Sequence, residues 1–414
     1  MKLFYAVQVS NNNGKKWLLR NDACMNLCIG IISCLLDLDP ELKFIIKVPF
    51  LKEVDDVDLY NRLFESKYRH NISFYEEDIP ISPVDSRFSF NFTFHKENKS
   101  WFRNMDVMIN DENTLTKNWN ALFSSLGLDI PIISTNYFLD SPIANKVPEK
   151  IRYYERQMES FINSDISAFQ CEASKREALE SFNLLYKESG LIKRTSVWGV
   201  GAWAKEIRKY NNEKKFSVPM IYFGNRITDT ANRYTNWDDF AKAIGIVSIK
   251  TDITSFDAVM LNPTKKITKE QEALIKEYSN GKVTVVPNDH LFPREDYLKF
   301  INRAHISCNL FTTEVHGGIT HVEALLSNNI VVMPRINNYL DKFENIDYPF
   351  LCRYDPYTMK INVDDLADKI LLALSTIDTE EELKYNKLCQ EIGYEKESYE
   401  MAAERILFDV RSLL

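Results

Sequence analysis

No apolar run in this sequence approaches the length of a membrane helix. The greasiest stretch, Ala23 to Leu36, is broken by Asn26 and Ser33 and falls short of the roughly 20 apolar residues that span a bilayer. A secretory signal is also missing, because Met1-Lys2-Leu3-Phe4-Tyr5-Ala6-Val7 passes directly into the polar stretch Gln8 to Lys16. With no apolar signal core and no small-residue cleavage site, a cytoplasmic protein is expected. Cysteine is unpatterned: the seven residues Cys24, Cys28, Cys34, Cys171, Cys308, Cys352 and Cys389 include no pair at the two-residue spacing of zinc or redox motifs. An odd number of thiols beside apolar neighbours fits buried side chains in a reducing compartment. The six histidines form neither HxxxH nor HExxH, so no metal site is expected. Basic excess is absent too. Lys plus Arg number 51 against 59 Asp plus Glu, a net charge of −8, so the average surface repels phosphate backbones and any nucleic-acid contact has to be local. With 12 glycines and 14 prolines in 414 residues, collagen-like and low-complexity architectures are excluded.

What is present is an alternation of short apolar runs with amphipathic stretches, the pattern of βαβ units around parallel sheets. In the first half the runs Leu3 to Val9, Phe44 to Val48, Ile72 to Tyr75, Met105 to Ile109, Ile130 to Ser134 and Ile166 to Phe169 are expected as strands. Helices are expected at Asp22 to Leu38, Thr114 to Ser125, Pro148 to Ile162 and Ser174 to Lys187. A basic, aperiodic stretch follows. Strands then resume at Met220 to Phe223, Ala258 to Leu261, Val283 to Val286, Ile306 to Leu310 and Ile330 to Met333. Helical patterns fall at Trp237 to Ala243, Lys269 to Tyr278, Arg294 to Ala304, Ile319 to Leu326 and Val363 to Leu374. The expected organisation is a first Rossmann-like domain over 1–190, a connection over 191–217, a second such domain over 218–378, and C-terminal helices over 379–414 that cross back to the first domain. The working fold is α/β, two facing doubly wound sheets, with ligands at the carboxyl ends of strands in the cleft between them.

The segment from Phe311 to Pro334 carries the most chemistry. It reads strand, glycine loop, helix, strand. Adjacent Gly317 and Gly318 allow close backbone approach, and the helix that follows offers free N–H groups and partial positive charge to a diphosphate. Glu323 lies about a turn further on, where a carboxylate can accept hydrogen bonds from a ribose diol. A tight strand-to-helix turn with a solvated Glu323 is the simpler alternative. Asp140, in Asn136-Tyr137-Phe138-Leu139-Asp140-Ser141-Pro142, is the candidate general base for an attacking hydroxyl, or equally an Asx-type cap before Pro142. The pairs Asp37/Asp39 and Asp56/Asp58 read as local structure at helix ends rather than as metal ligands.

Glu314 to Pro334 resembles the nucleotide-sugar signature of GT-B glycosyltransferases: an acidic residue, a glycine turn, Glu-Ala on a helix, then a strand ending in Pro. Eight residues separate Glu314 from Glu323 where that signature has seven, whereas Gly318 to Glu323 keeps the common spacing. The resemblance implies that Glu323 binds the donor ribose and that the amides of Gly317, Gly318, Ile319 and Thr320 bind the diphosphate, with Glu314 and His316 beside them. It also places Gly224, Asn225 and Arg226, with Arg233, at the leaving diphosphate of a donor such as a UDP-sugar. His290 falls in the loop that holds the base. The Asp140 segment and the Glu323 helix are also similar to DNA β-glucosyltransferases of T-even phages. That likeness implies transfer to 5-hydroxymethylated pyrimidine in phage DNA, protecting it from nucleases. Asn11, Asn12, Asn13 and Gly14, together with Arg156, would then face the acceptor, and the base would be flipped out of the duplex. A cell-surface glycan or small acceptor, and a non-catalytic nucleotide-sugar-binding protein, remain as alternatives. No cofactor beyond the donor is called for.

Overall fold

The computed structural model describes residues 1–7, 23–49, 60–61, 63–77, 90–136, 154–187, 189–199, 201–225, 227, 235–250, 255–261, 267–286, 293–312, 318–343, 346–355, 358 and 360–414. The chain divides into two units, Met1–Gly201 with Tyr399–Leu414, and Ala202–Ser398.

The first unit is built on seven parallel strands: β1 (Lys2–Ala6), β2 (Lys43–Pro49), β3 (Ile72–Glu77), β4 (Val107–Asn110), β5 (Ile132–Asn136), β6 (Ile166–Phe169) and β7 (Thr195–Val197). Their order in the sheet is β3-β2-β1-β4-β5-β6-β7, so the strand order reverses between β1 and β4. Strands covered on both faces need apolar residues at every position rather than at alternate ones, and β4, with Val107, Met108, Ile109 and Asn110 all buried, shows it. Its α-helices include α1 (Ala23–Leu38), α2 (Phe92–Glu97), α3 (Thr116–Leu126), α4 (Tyr154–Asn163) and α5 (Glu172–Tyr186). On one side of the sheet Phe4 sits edge-on to Tyr75, Phe102 and Trp119, each at 5.6 Å between centroids, an arrangement favoured by the ring quadrupoles.

The second unit repeats the plan. After α6 (Ala204–Arg208) come β8 (Met220–Phe223), α7 (Trp237–Lys250), β9 (Asp257–Leu261), α8 (Lys269–Tyr278), β10 (Val283–Val286), α9 (Arg294–Arg303), β11 (Ile306–Cys308), α10 (Ile319–Leu326), β12 (Ile330–Pro334), α11 (Asn337–Lys342) and β13 (Leu351–Cys352). The parallel order is β10-β9-β8-β11-β12-β13, reversing between β8 and β11. A two-stranded antiparallel ribbon, β14 (Tyr354–Asp355) with β15 (Lys360–Ile361), precedes α12 (Val363–Thr376) and α13 (Glu380–Glu397). Helix starts are specified locally. Thr268 Oγ1 accepts from Gln271 N while Gln271 Oε1 accepts from Thr268 N, a reciprocal cap on α8.

The stretch 191–217, expected as a connection, contributes instead to both units. Thr195–Val197 extends the first sheet and Trp198 is fully buried behind it, while α6 packs in the second unit. Its basic residues misled because they have distant partners: Lys193 pairs with Asp165 at 2.7 Å and Arg194 with Asp409 at 2.8 Å. The tail is divided as well. α13 belongs to the second unit, and α14 (Tyr399–Arg411) to the first. There, buried Asp409 also accepts from Trp198 Nε1 at 2.8 Å. Tyr399 lies against two glycines, since a Cβ at Gly30 or at Gly201 (φ +91°) would come within 2.3 or 2.2 Å of its ring.

No helix among the described residues is long and apolar enough to cross a membrane. All seven cysteines are free, six of them buried and Cys24 half-buried.

Candidate functional site

In open parallel sheets ligands bind outside the carboxyl ends of the strands where the order reverses. In the second unit that place is the mouth of β8 and β11. Gly224 and Asn225 follow β8 and Asn309 follows β11, and α10 begins close by. Turned so that its oxygen accepts from Leu310 N and Phe311 N at 3.0 and 3.3 Å, the Asn225 amide presents its nitrogen to Thr320 Oγ1, 3.3 Å away. One buried side chain (6% exposed) thereby ties both strand ends to the first turn of α10. Asn236, with φ +50°, buttresses the same loop by donating to Leu310 O at 2.8 Å and Thr312 Oγ1 at 3.0 Å.

α10 starts at Gly318 (φ −76°, ψ 155°), which has no side chain with which to cap it, and its first turn carries no acidic residue. His321 N donates to Gly318 O at 3.2 Å, and the N–H groups of Ile319 and Thr320 ahead of it are of the kind that bind anions at helix starts. A Cβ at Gly318 would come no nearer than 3.6 Å to Thr320 Oγ1, and one at Gly224 no nearer than 3.4 Å to Tyr222. Packing among the described residues thus does not demand glycine at either position.

Glu323 lies on the second turn of α10 and is 4% exposed. A buried carboxyl group needs hydrogen-bond partners, and α9 supplies them. Arg294 Nη1 donates to Glu323 Oε1, and Tyr297 Oη donates to Oε2 at 2.8 Å. The guanidinium also faces Glu206 Oε2 on α6 at 3.4 Å. Burial and the Glu323 charge push the Tyr297 hydroxyl well up, so it remains a donor. Two positions before Glu323, His321 is buried inside the unit and accepts at Nε2 from Lys342 Nζ, 2.5 Å away; Lys342 in turn pairs with Glu397 at 3.2 Å. Burial, reinforced by Lys342, holds the His321 imidazole neutral.

Of the residues picked out by sequence, the structure brings Gly224, Asn225, Gly318, Ile319, Thr320 and Glu323 to this one mouth. Arg156 is exposed on α4 of the first unit. Asn11, Asn12, Asn13, Gly14, Asp140, Arg226, Arg233, His290, Glu314, His316 and Gly317 lie outside the described residues. Asp39 accepts locally from Glu41 N at 3.2 Å, but its other oxygen pairs with distant Arg411 at 2.9 Å, and Asp37 bonds to Tyr68 at 2.7 Å; Asp56 and Asp58 lie outside the described residues. Sequence reading missed Arg294, Tyr297 and Glu206. Their one signal is that Arg294 and Tyr297 stand three apart in the first turn of a helix, and so share a face. Among the described residues no three His, Cys, Asp or Glu side chains converge to hold a metal ion.

No protein-family profile and no curated protein sequence matches the chain. Solved structures do. A glycosyltransferase from Rickettsia africae aligns over 100% of this chain and 98% of its own at 14% identity, with a TM-score of 0.62. The E. coli trehalose-6-phosphate structure bound with UDP-2-fluoro glucose aligns over the whole of both chains at 13% identity and a TM-score of 0.67. Anabaena HepE in complex with UDP does so at 11% identity and 0.63. The chain has the GT-B fold of these proteins, two Rossmann-like α/β units with parallel sheets.

Proposed function

We propose that this chain is a glycosyltransferase that moves a sugar from a UDP-sugar to a hydroxyl acceptor. The observation that carries the reading is the start of α10 at a glycine, with Glu323 held by Arg294 and Tyr297 one turn on, at the switch point of a unit whose fold is shared with proteins solved with UDP and a UDP-sugar analogue. The amides of Gly317 to Thr320, aided by Arg226 and Arg233, take the diphosphate, and Glu323 takes the ribose hydroxyls. Charge grows on the diphosphate as the C1–O bond to phosphate breaks, and fixed donors aimed at it stabilise that transition state without reorganising. Asp140 removes the acceptor's hydroxyl proton as its oxygen attacks C1, which inverts the anomeric configuration.

The acceptor read from the likeness to phage enzymes is a hydroxymethylated pyrimidine in DNA. A cell-surface glycan or small acceptor is the alternative. Asp111 and Glu112, which follow β4 beside the point where the strand order reverses, are buried and bonded within the unit, to Thr135 Oγ1 at 3.0 Å and to Thr114 N at 3.2 Å.

Incubation with a panel of UDP-sugars, followed by product analysis, tests the proposal. Transfer or slow hydrolysis that disappears in Glu323→Ala and Asp140→Ala supports it. Activity unchanged in both variants refutes the site, and donor binding without turnover supports a non-catalytic binding protein. Filter binding to hydroxymethylated duplex separates the acceptors, since phosphate contacts make affinity fall steeply with salt. A product of retained configuration would remove Asp140 from the role of base.

A further inference from the structure

We propose that Arg294 and Tyr297 are positioning residues that aim the Glu323 carboxylate as a two-point acceptor for a ribose diol, so that α9 sets the selectivity for a ribonucleotide donor. This rests on the nucleotide-sugar reading of the site. An ionised carboxylate has about four lone-pair positions. Arg294 takes one on Oε1 and Tyr297 one on Oε2, which leaves one on each oxygen. That is the number and spacing that two vicinal hydroxyls require. A carboxylate held by one donor could rotate about its last torsion, whereas donors on both oxygens fix its plane.

The donors are themselves fixed. Arg294 and Tyr297 are on one face of α9, the guanidinium lies 5.6 Å from the Tyr297 ring centroid, and Glu206 holds its other edge. The guanidinium and the phenol thereby meet one carboxylate oxygen each. Hydrogen bonds to charged groups are stronger than neutral ones, and a donor lacking the 2′ hydroxyl leaves one of those oxygen positions unmet.

The test compares binding of UDP and 2′-deoxy-UDP to the full chain and to Tyr297→Phe, Arg294→Lys and Arg294→Met, with a thermal melt of each. The unaltered protein is expected to prefer UDP by roughly 10- to 100-fold. In Tyr297→Phe and Arg294→Met that ratio is expected to fall to within roughly threefold of unity, with Arg294→Lys between. A merely structural pair would lower the melting temperature and leave the ratio alone. Variants that fold and keep the parent ratio overturn the proposal while leaving the glycosyltransferase reading standing, provided Glu323→Gln abolishes the preference. Absence of UDP binding to the unaltered protein overturns both.

Discussion

Replacing Gly393 by alanine is expected to destabilise the second unit, although it puts a better helix former into the middle of α13. In an unconstrained helix the exchange gains about 1 kcal/mol. Here the new Cβ would stand 3.0 Å from Leu325 Cβ and 3.3 Å from Leu326 Cδ2 and Cγ, well inside the roughly 3.5–4.0 Å optimum for carbon pairs. Leu325 and Leu326 are fully buried, and a Cβ atom cannot swing away from its own backbone. α10 must therefore move, yet it is tethered by Glu323 to α9 and by His321 to Lys342. Forcing an extra methyl into such a place costs about 1–3 kcal/mol. The net is a loss of about 1 kcal/mol and a melting temperature lower by about 2–4 °C. Because α10 carries the proposed diphosphate amides, UDP affinity should fall with it. Differential scanning calorimetry and UDP titration read the two effects, with Gly190→Ala, where nothing lies within 4 Å of the new Cβ, as the comparison. A melting temperature raised in Gly393→Ala, with UDP affinity unchanged, would refute the reasoning.

Three further outcomes follow from burial. Lys342→Met removes the cation paired with Glu397, whose side chain is 2% exposed, and should cost about 3–5 kcal/mol in urea unfolding, most of it recovered in Lys342→Met/Glu397→Met; equal losses in the single and double variants would contradict this. His305 accepts the Met220 N–H at Nδ1, 3.1 Å away, and burial, with Lys215 nearby, lowers its pKa from 6.5 to about 4. The folded state resists protonation, so this contribution is complete above pH 6.5 and is lost as pH falls towards 4, up to about 3 kcal/mol. His305→Gln should flatten that part of the melting-temperature profile, and an unaltered slope would show the group titrates normally. Finally, Ellman's reagent should meet one fast thiol, Cys24, of the seven, the other six reacting only on denaturation; rapid reaction of several would mean the packing around α1 is open.

Much of the fold was legible because a parallel strand buried on both faces writes itself as a largely apolar run. Ile166–Phe169 and Met220–Phe223, buried at every position, start and stop in the structure where the apolar pattern does. What failed was short or lay at an edge. β7 has three residues, all half-buried, and β13, β14 and β15 have two each, too few for any periodicity to register. α2 and α11, at six residues, span fewer than two turns. Long-range ion pairs defeated the reading of 191–217, since a lysine pairing 28 residues upstream and an arginine pairing 215 residues downstream look, in one dimension, like a solvated basic linker.

The site shows the same division between local and distant information. Gly318, Thr320 and Glu323 sit within one short helix, so their spacing is a local property and a motif can carry it. What makes Glu323 usable is not local: its donors lie 29 and 26 residues earlier. Nothing in the period of α9 marks Arg294 and Tyr297 as different from a solvated arginine and a half-buried tyrosine. A motif therefore identifies the proposed acceptor carboxylate but not the groups that hydrogen-bond it. Two chains sharing the glycine-to-glutamate spacing can then differ in donor selectivity through α9 alone. Exchanging the first turn of α9 between such chains, with α10 untouched, should carry the 2′-hydroxyl preference with the exchanged turn. If the preference stays with α10, the plane of the carboxylate is set within its own helix, and Arg294 and Tyr297 do no more than hold two helices together.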